Sequence, residues 1–213
     1  MKILVTGGAG FIGSHLVDKL ILDGHDIDVL DDFSTGKNKN SRANYIVEDV
    51  RSDLANLGEY DVIYHLAALA RIQPSFENPM KTIDINVKGT ANLCNYAHKV
   101  NAKFIYAGSS SFYAGPYLNP YAFSKWQGEE VCKMFSSVYG MSSAIARFFN
   151  VYDSRHLSEG PYATVVGIFE RQFLENKALT ITGDGEQRRD FTHVNDIVRG
   201  LILMSEKTWK GDI

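Results

Sequence analysis

Ile3-Leu4-Val5-Thr6-Gly7-Gly8-Ala9-Gly10-Phe11-Ile12-Gly13 stands almost at the first residue of the chain. Four residues suited to a buried strand run into glycines, and the glycines run into a stretch with helical spacing of its apolar residues. Glycine there permits a tight turn and lets the backbone approach a pyrophosphate seated on the helix N-terminus. The string satisfies G-x-G-x-x-G from Gly8 and G-x-x-G-x-x-G from Gly7. Asp31 ends the next apolar run, where an acid hydrogen-bonds ribose hydroxyls and repels a 2′-phosphate, which favours NAD over NADP. The competing reading is a glycine-rich turn followed by a surface acid.

Outward from that unit, short apolar runs alternate with helical stretches. Strands are predicted at Ile3–Thr6, Ile27–Asp31, Tyr45–Val47, Val62–His65, Phe104–Ala107 and Ala144–Phe148. Helices are predicted near Phe11–Asp23, Ile83–Val100 and Tyr121–Tyr139. Strands apolar on both faces and separated by helices imply an α/β fold, a doubly wound parallel Rossmann sheet. Residues 1–150 read as the dinucleotide-binding domain. From 151 to 213 the character changes to a loop, a helix, a short strand at Leu179–Thr182 and a helix from Asn195. That part reads as an incomplete smaller C-terminal substrate lobe interleaved with the first domain.

The chain has 213 residues, 45% hydrophobic and 22% charged, which places it among globular proteins. A net charge of -3 gives no broad surface for nucleic acid or an anionic membrane. No apolar run reaches the roughly 18 residues of a membrane span, and no leader pattern precedes the first strand. Cys94 and Cys132 lack metal-ligand spacing and read as buried thiols of a reducing compartment. No metal site is expected, and the location expected is cytoplasmic.

Tyr121 and Lys125 stand one helical turn apart in Tyr121-Ala122-Phe123-Ser124-Lys125. A tyrosine of ordinary pKa, about 10, is a poor base at neutral pH, but a nearby ammonium and NAD's own positive charge favour its phenolate. The strand Phe104–Ala107 leads into Gly108-Ser109-Ser110-Ser111, which puts a serine at the sheet's carboxyl edge. Taken alone, an i,i+4 Tyr/Lys pair is more often a solvated helix face. Joined to the dinucleotide motif, it reads as catalytic machinery.

With these motifs in order, the chain resembles the extended short-chain dehydrogenases/reductases of the nucleotide-sugar epimerase and dehydratase group, most of all the UDP-sugar 4-epimerases. The likeness runs through TGGAGFIG at 6–13, DVLDDFSTG at 28–36, EDV at 48–50 and HLAA at 65–68. It continues in ARIQPSFENP at 70–79, NVKGT at 86–90, SSSFY at 109–113 and YAFSK at 121–125. RFFNVY at 147–152, PYATVVGIF at 161–169 and GDGEQRRDFTHVNDI at 183–197 complete it.

The resemblance implies NAD as cofactor and a nucleotide sugar, of UDP type, as substrate. Tyr121 would be the base, Lys125 its partner on the nicotinamide ribose, and Ser109 the hydroxyl on the sugar. The cofactor would lie along Gly7, Gly10, Phe11, Ile12 and Gly13, with Asp31, Asp32, Ser34, Thr35 and Gly36 at its ribose. Asp49 and Val50 would flank the adenine; Leu66, Ala67, Ala68, Ala70, Asn86, Ala107 and Phe148 would line the cleft. Ser110, Asn150, Thr182 and Arg189 would meet the substrate, Arg189 by pairing with phosphate oxygens. The helices Ile83–Val100 and Tyr121–Tyr139 resemble those of a four-helix homodimer interface.

Related dehydratases carry an acid pair after the catalytic Ser/Thr and the decarboxylases a nearby Glu, whereas this chain has Ser110 and Ser111. That favours hydride removal and return at C4 without elimination. A 4,6-dehydratase, a decarboxylase and a non-catalytic NAD-binding protein remain as alternatives. The sequence departs from the family pattern at Phe112-Tyr113-Ala114, at Asp153-Ser154 and at Thr182. Relatives are expected to continue past Ile213 with a strand and a further C-terminal portion, so this chain would bind NAD while its sugar-nucleotide turnover is slow or absent.

Overall fold

Among the described residues, seven parallel strands form the main sheet, in the spatial order Asn44–Ile46, Asp26–Leu30, Lys2–Thr6, Val62–His65, Lys103–Ser109, Ser143–Phe148 and Lys210–Asp212. The computed structural model describes residues 1–161 and 163–213, so Tyr162 of the 161–169 motif lies outside the described residues. The strands are β1 Lys2–Thr6, β2 Asp26–Leu30, β3 Asn44–Ile46, β4 Val62–His65, β5 Lys103–Ser109, β6 Ser143–Phe148 and β9 Lys210–Asp212. A separate parallel pair joins β7 Asn150–Tyr152 to β8 Phe191–His193. The main helices are α1 Phe11–Leu22, α4 Gly89–Lys99, α6 Pro120–Tyr139, α7 Val165–Leu174 and α8 Val194–Ser205. Short helices α2 Ile72–Glu77 and α3 Pro79–Ile83 lead through a π-helical turn, Asp84–Lys88, into α4, and α5 Ser111–Ala114 follows β5.

Period-two alternation explains why the strands read as continuously apolar. Leu4, Leu30, Ile63, Phe104 and Tyr106 face one layer, where Leu93, Cys94 and Ala97 of α4 meet Cys132 and Phe135 of α6. Ile3, Val5, Ile27, Val29, Tyr64 and Ile105 face the other, against Leu16, Val17 and Leu20 of α1 and Val198 and Leu201 of α8. With both faces covered, the sheet has no solvated side to mark with polar residues. The order also places a switch point between β1 and β4, from which successive crossovers run in opposite directions.

Two expectations change. Leu179–Thr182 forms no strand and lies in the exposed loop between α7 and β8. Its alternating apolar residues have no neighbouring strand to pair with, so Leu179 and Ile181 stay exposed. A strand was expected only beyond Ile213, yet β9 already pairs with β6 at Lys210 and Asp212. The helix predicted from Asn195 is α8, which packs against α1 in the second layer of the main sheet.

His65, fully buried on β4, ties the layers together. Its Nδ1 lies 2.7 Å from Thr6 Oγ1 and its Nε2 3.0 Å from Thr90 Oγ1. Burial pushes its pKa down to about 3, so the imidazole is neutral in the fold. The unfolded chain takes up this proton near pH 6.5 and the folded chain does not. His65 therefore contributes stability that is present above pH 6.5 and lost as pH falls toward 3, by up to about 1.4 kcal/mol per pH unit. A His65→Gln variant is expected to flatten that slope in urea denaturation between pH 6.5 and 4; an unaltered slope would assign the acid sensitivity elsewhere.

Candidate active site

The turn after β1 is shaped by contacts that only glycine tolerates. At Gly7 (φ +72°) a Cβ would sit 2.6 Å from the Ala67 amide nitrogen, and at Gly13 it would sit 2.2 Å from the Gly7 carbonyl oxygen. The turn thus lies directly against the end of β4 and the start of α1. Helix α1 begins at Gly10 with no side-chain cap, so its first-turn N–H groups, at Phe11, Ile12 and Gly13, are left for an outside acceptor. A phosphate suits that position on grounds of hydrogen bonding and helix dipole alike.

Asp31 closes the other side. It is buried, and its carboxylate accepts from the Ala9 amide at 2.9 Å and the Phe33 amide at 2.9 Å. Burial pushes its pKa up and the two amide bonds pull it back. The acid therefore also fixes the glycine turn. Gly36 packs on Ala9, whose carbonyl accepts from the Asn38 amide at 3.0 Å; Asp32 accepts from the Ser34 amide and hydroxyl, and Thr35 is exposed. Farther along, Val50 is buried against Gly89, while Asp49 is held by Arg51, which also pairs with Asp84. That ion pair lowers the Asp49 pKa.

Leu66, Ala67 and Ala68 follow β4 half-buried, and Ala70 is exposed. Asn86 is buried in the π-helical turn. Its Oδ1 accepts from the Leu69 amide at 2.8 Å, and its Nδ2 donates to the Leu69 carbonyl at 3.1 Å and to Ser124 Oγ at 2.9 Å. It clamps the loop after β4 to α6. Ala107 and Phe148 stand on β5 and β6, with Phe148 in register with Ser109.

The start of α6 shows why Tyr121 is placed firmly. Asn119 accepts from the Ala122 amide at 2.8 Å, Pro120 has no donor to satisfy, and the buried Ser75 hydroxyl accepts from the Tyr121 amide at 3.1 Å. Tyr121 Oη lies 3.4 Å from Ser109 Oγ at the end of β5. Burial raises the tyrosine pKa, while the Ser109 contact and the charge of Arg71 pull it down. Lys125 is 5% exposed, with Nζ 4.3 Å from the Tyr106 ring centroid. Burial lowers it to about 8, against an upward pull from Glu129.

The sequence alone assigns no role to Arg71, Glu129 or Arg147, and marks Ser111 only as the absence of an acid. Arg71 brings a positive charge to the tyrosine, and Ser111 donates to Ser109 Oγ from its hydroxyl at 2.8 Å and its amide at 3.2 Å. Glu129 and Arg147 form a buried ion pair at 2.6 Å behind Ser109. Glu129 stands four residues after Lys125, a spacing that puts a carboxylate on the same helix face and was the available signal.

Asn150 and Arg189 are far apart in sequence and close in space. Asn150 opposes Phe191 in the small sheet, and both its amide and its Nδ2 donate to the Asp190 carbonyl at 3.2 Å. Thr182 is exposed in the preceding loop, where its carbonyl accepts from Gln187; Arg189 donates to the carbonyl of Arg188. Among the described residues neither touches Ser109, Tyr121 or Lys125. Ser110 lies beside the site, its amide donating to the Phe148 carbonyl at 2.9 Å. No described helix is long and apolar enough to cross a membrane.

The profile of the NAD dependent epimerase/dehydratase family matches residues 3–213. The chain belongs to this family. Its cofactor is NAD, and the uncapped α1 terminus, the glycine turn and Asp31 fit that cofactor. A Methanocaldococcus jannaschii protein with a provisional UDP-glucose 4-epimerase name is 38% identical over 231 residues, covering 99% of this chain and 75% of the relative. UDP-glucuronic acid decarboxylase 1 of Danio rerio is 37% identical over 228 residues, covering 95% of this chain and 53% of the relative. This chain therefore spans about half the length of that decarboxylase. Among solved structures, UDP-glucose 4-epimerase from Thermotoga maritima with UDP-glucose superposes with a TM-score of 0.91 at 33% identity, covering 95% of this chain and 72% of that one.

Proposed function

We propose that the chain takes part in NAD-dependent epimerisation at C4 of a nucleotide sugar of the UDP-glucose/UDP-galactose type, through a transient 4-keto sugar. The carrying observation is chemical: the Tyr121 hydroxyl meets the Ser109 hydroxyl and the charge of Arg71, and residues 110 and 111 are serines where an elimination would need carboxyl groups. NAD, when bound, supplies the acceptor and then the donor of the C4 hydride, so no outside oxidant is required. Tyr121 takes the proton of the C4 hydroxyl and later gives one back. Ser109 holds that hydroxyl, and Lys125 holds the nicotinamide ribose. Asn150, Thr182 and Arg189 hold the nucleoside diphosphate. In the same reading residues 1–150 carry the cofactor, 151–213 contribute to an interleaved substrate lobe, and the protein works as a cytoplasmic homodimer.

One observation favours a second reaction. Arg71 places a positive charge near Tyr121, and a guanidinium suits the carboxylate of a uronate, as C-6 decarboxylation would need. Incubation with UDP-glucose, UDP-galactose, their N-acetyl forms and UDP-glucuronate, with products read by NMR, separates the two. Interconversion of the C4 epimers supports the first; release of CO2 with a pentose product supports the second; no product with any of them sinks both.

Asp31→Ala is expected to weaken NAD binding and bring the NAD and NADP affinities closer together, because acceptors for ribose and the repulsion of a 2′-phosphate vanish together. Loss of the Ala9 contact loosens the glycine turn as well. Calorimetric titration of both cofactors measures the ratio; the parent's ratio in the variant would contradict the assignment.

A further inference from the structure

Ser109 Oγ carries an unusual load for one hydroxyl. The Ser111 amide and the Ser111 hydroxyl donate to it at 3.2 and 2.8 Å, and the Tyr121 hydroxyl donates to it at 3.4 Å, the longest of the three. A serine oxygen has two acceptor sites and one proton. Three donors therefore compete for two acceptor sites, and the Tyr121 phenol, the most distant of them, has the weakest hold. An ionised Tyr121 meets the one thing Ser109 has left, its own proton. The geometry therefore favours the phenolate over the phenol.

The turn that delivers Ser111 is itself braced. The Ser110 amide donates to the Phe148 carbonyl at 2.9 Å, and the Tyr113 amide donates to the Ser110 carbonyl at 3.0 Å. The Arg147 guanidinium lies 3.7 Å from the centroid of the Phe112 ring. We propose that Ser111 is a positioning residue, whose amide and hydroxyl together turn the Ser109 proton toward Tyr121. This rests on the reading of Tyr121 as the base. Ser111 itself touches neither Tyr121 nor, in this account, the sugar.

Three variants of the full chain test it: Ser111→Ala, Ser111→Thr and Tyr121→Phe. The tyrosinate absorbance of each Ser111 form, minus that of the same form carrying Tyr121→Phe, isolates one titration among 11 tyrosines. Circular dichroism at each pH restricts the comparison to folded protein. Ser111→Ala frees an acceptor site for the phenol and is expected to move that titration upward by about half to one pH unit, the size of one neutral hydrogen bond. Ser111→Thr keeps both donors and is expected to titrate like the parent. The acid limb of turnover with UDP-galactose should move in the same order. Coincident curves for Ser111→Ala and the parent, or an equal shift for the threonine variant, would overturn the role of Ser111 alone. A Tyr121→Phe variant as active as the parent would instead overturn the base on which the inference rests.

Discussion

Tyr121→Phe is expected to cut turnover by about 10²- to 10⁴-fold, the usual range for a deleted general acid–base group, while NAD binds as in the parent. In the proposed reading the cofactor is held mainly by the turn after β1, Asp31 and the loop after β4, whose contacts do not involve the Tyr121 hydroxyl. The ring fits unchanged, because the Tyr121 amide is held by Ser75 and the helix start by Asn119, independently of the hydroxyl. Turnover of UDP-galactose and calorimetric titration with NAD, on the same preparation, check the two halves. Parent-like turnover would remove Tyr121 from the chemistry. Lost NAD binding would mean that the substitution disturbs the cleft.

The glycine turn and its flanking strand and helix are contiguous in sequence, and that makes the unit legible there. A strand, four glycines and a helix occupy 2–22; Gly7, Gly10 and Gly13 answer to backbone contacts and Gly8 to the side chains of Val29 and Val17. Parallel strands buried on both faces announce themselves as short apolar runs, so β1, β2, β4, β5 and β6 were found. What escaped notice depends on pairing between distant segments. The β7–β8 pair has three residues per strand and no hydrophobic pattern of its own; it exists because Asn150 and Asp190 meet. Conversely, Leu179–Thr182 has the composition of a strand without a partner to pair with. Asn86 was placed at the cleft as a lining residue, and nothing in its neighbours signalled that it would span Leu69 and Ser124. Helix α8 followed a change of chain character at about 150, yet its apolar stripe is complementary to α1, a match of surfaces that linear spacing does not carry.

Glu129→Ala is expected to destabilise the fold by about 3–5 kcal/mol, because it strands a buried guanidinium. The Glu129 side chain is 1% exposed and the Arg147 side chain 8%, and they meet through Nε at 3.1 and 3.2 Å and Nη2 at 2.6 Å. Little water reaches Arg147 to replace the carboxylate, and a guanidinium keeps its proton even without a partner, so the charge has no route to neutrality. For a chain of this length the loss corresponds to roughly 6–20 °C in Tm. The paired change Glu129→Met with Arg147→Met removes both charges and is expected to recover much of it, since a buried ion pair and an apolar pair of similar volume are often close in stability. Urea denaturation of the two single variants and the double variant measures the coupling. A Glu129→Ala loss below about 1 kcal/mol, the range of a surface pair, would show that water reaches Arg147 after all. The consequence for chemistry follows from the same carboxylate. Glu129 holds the Lys125 ammonium up against burial, which has already brought it to about 8. Without Glu129 that pKa falls further, and Lys125 loses its proton at a lower pH than in the parent. Whatever depends on the ammonium then fails earlier on the alkaline side. In the folded fraction of Glu129→Ala, the alkaline limb of turnover is therefore expected to shift toward neutral pH, with Arg147 no longer held against the Phe112 ring beneath the Ser111 turn.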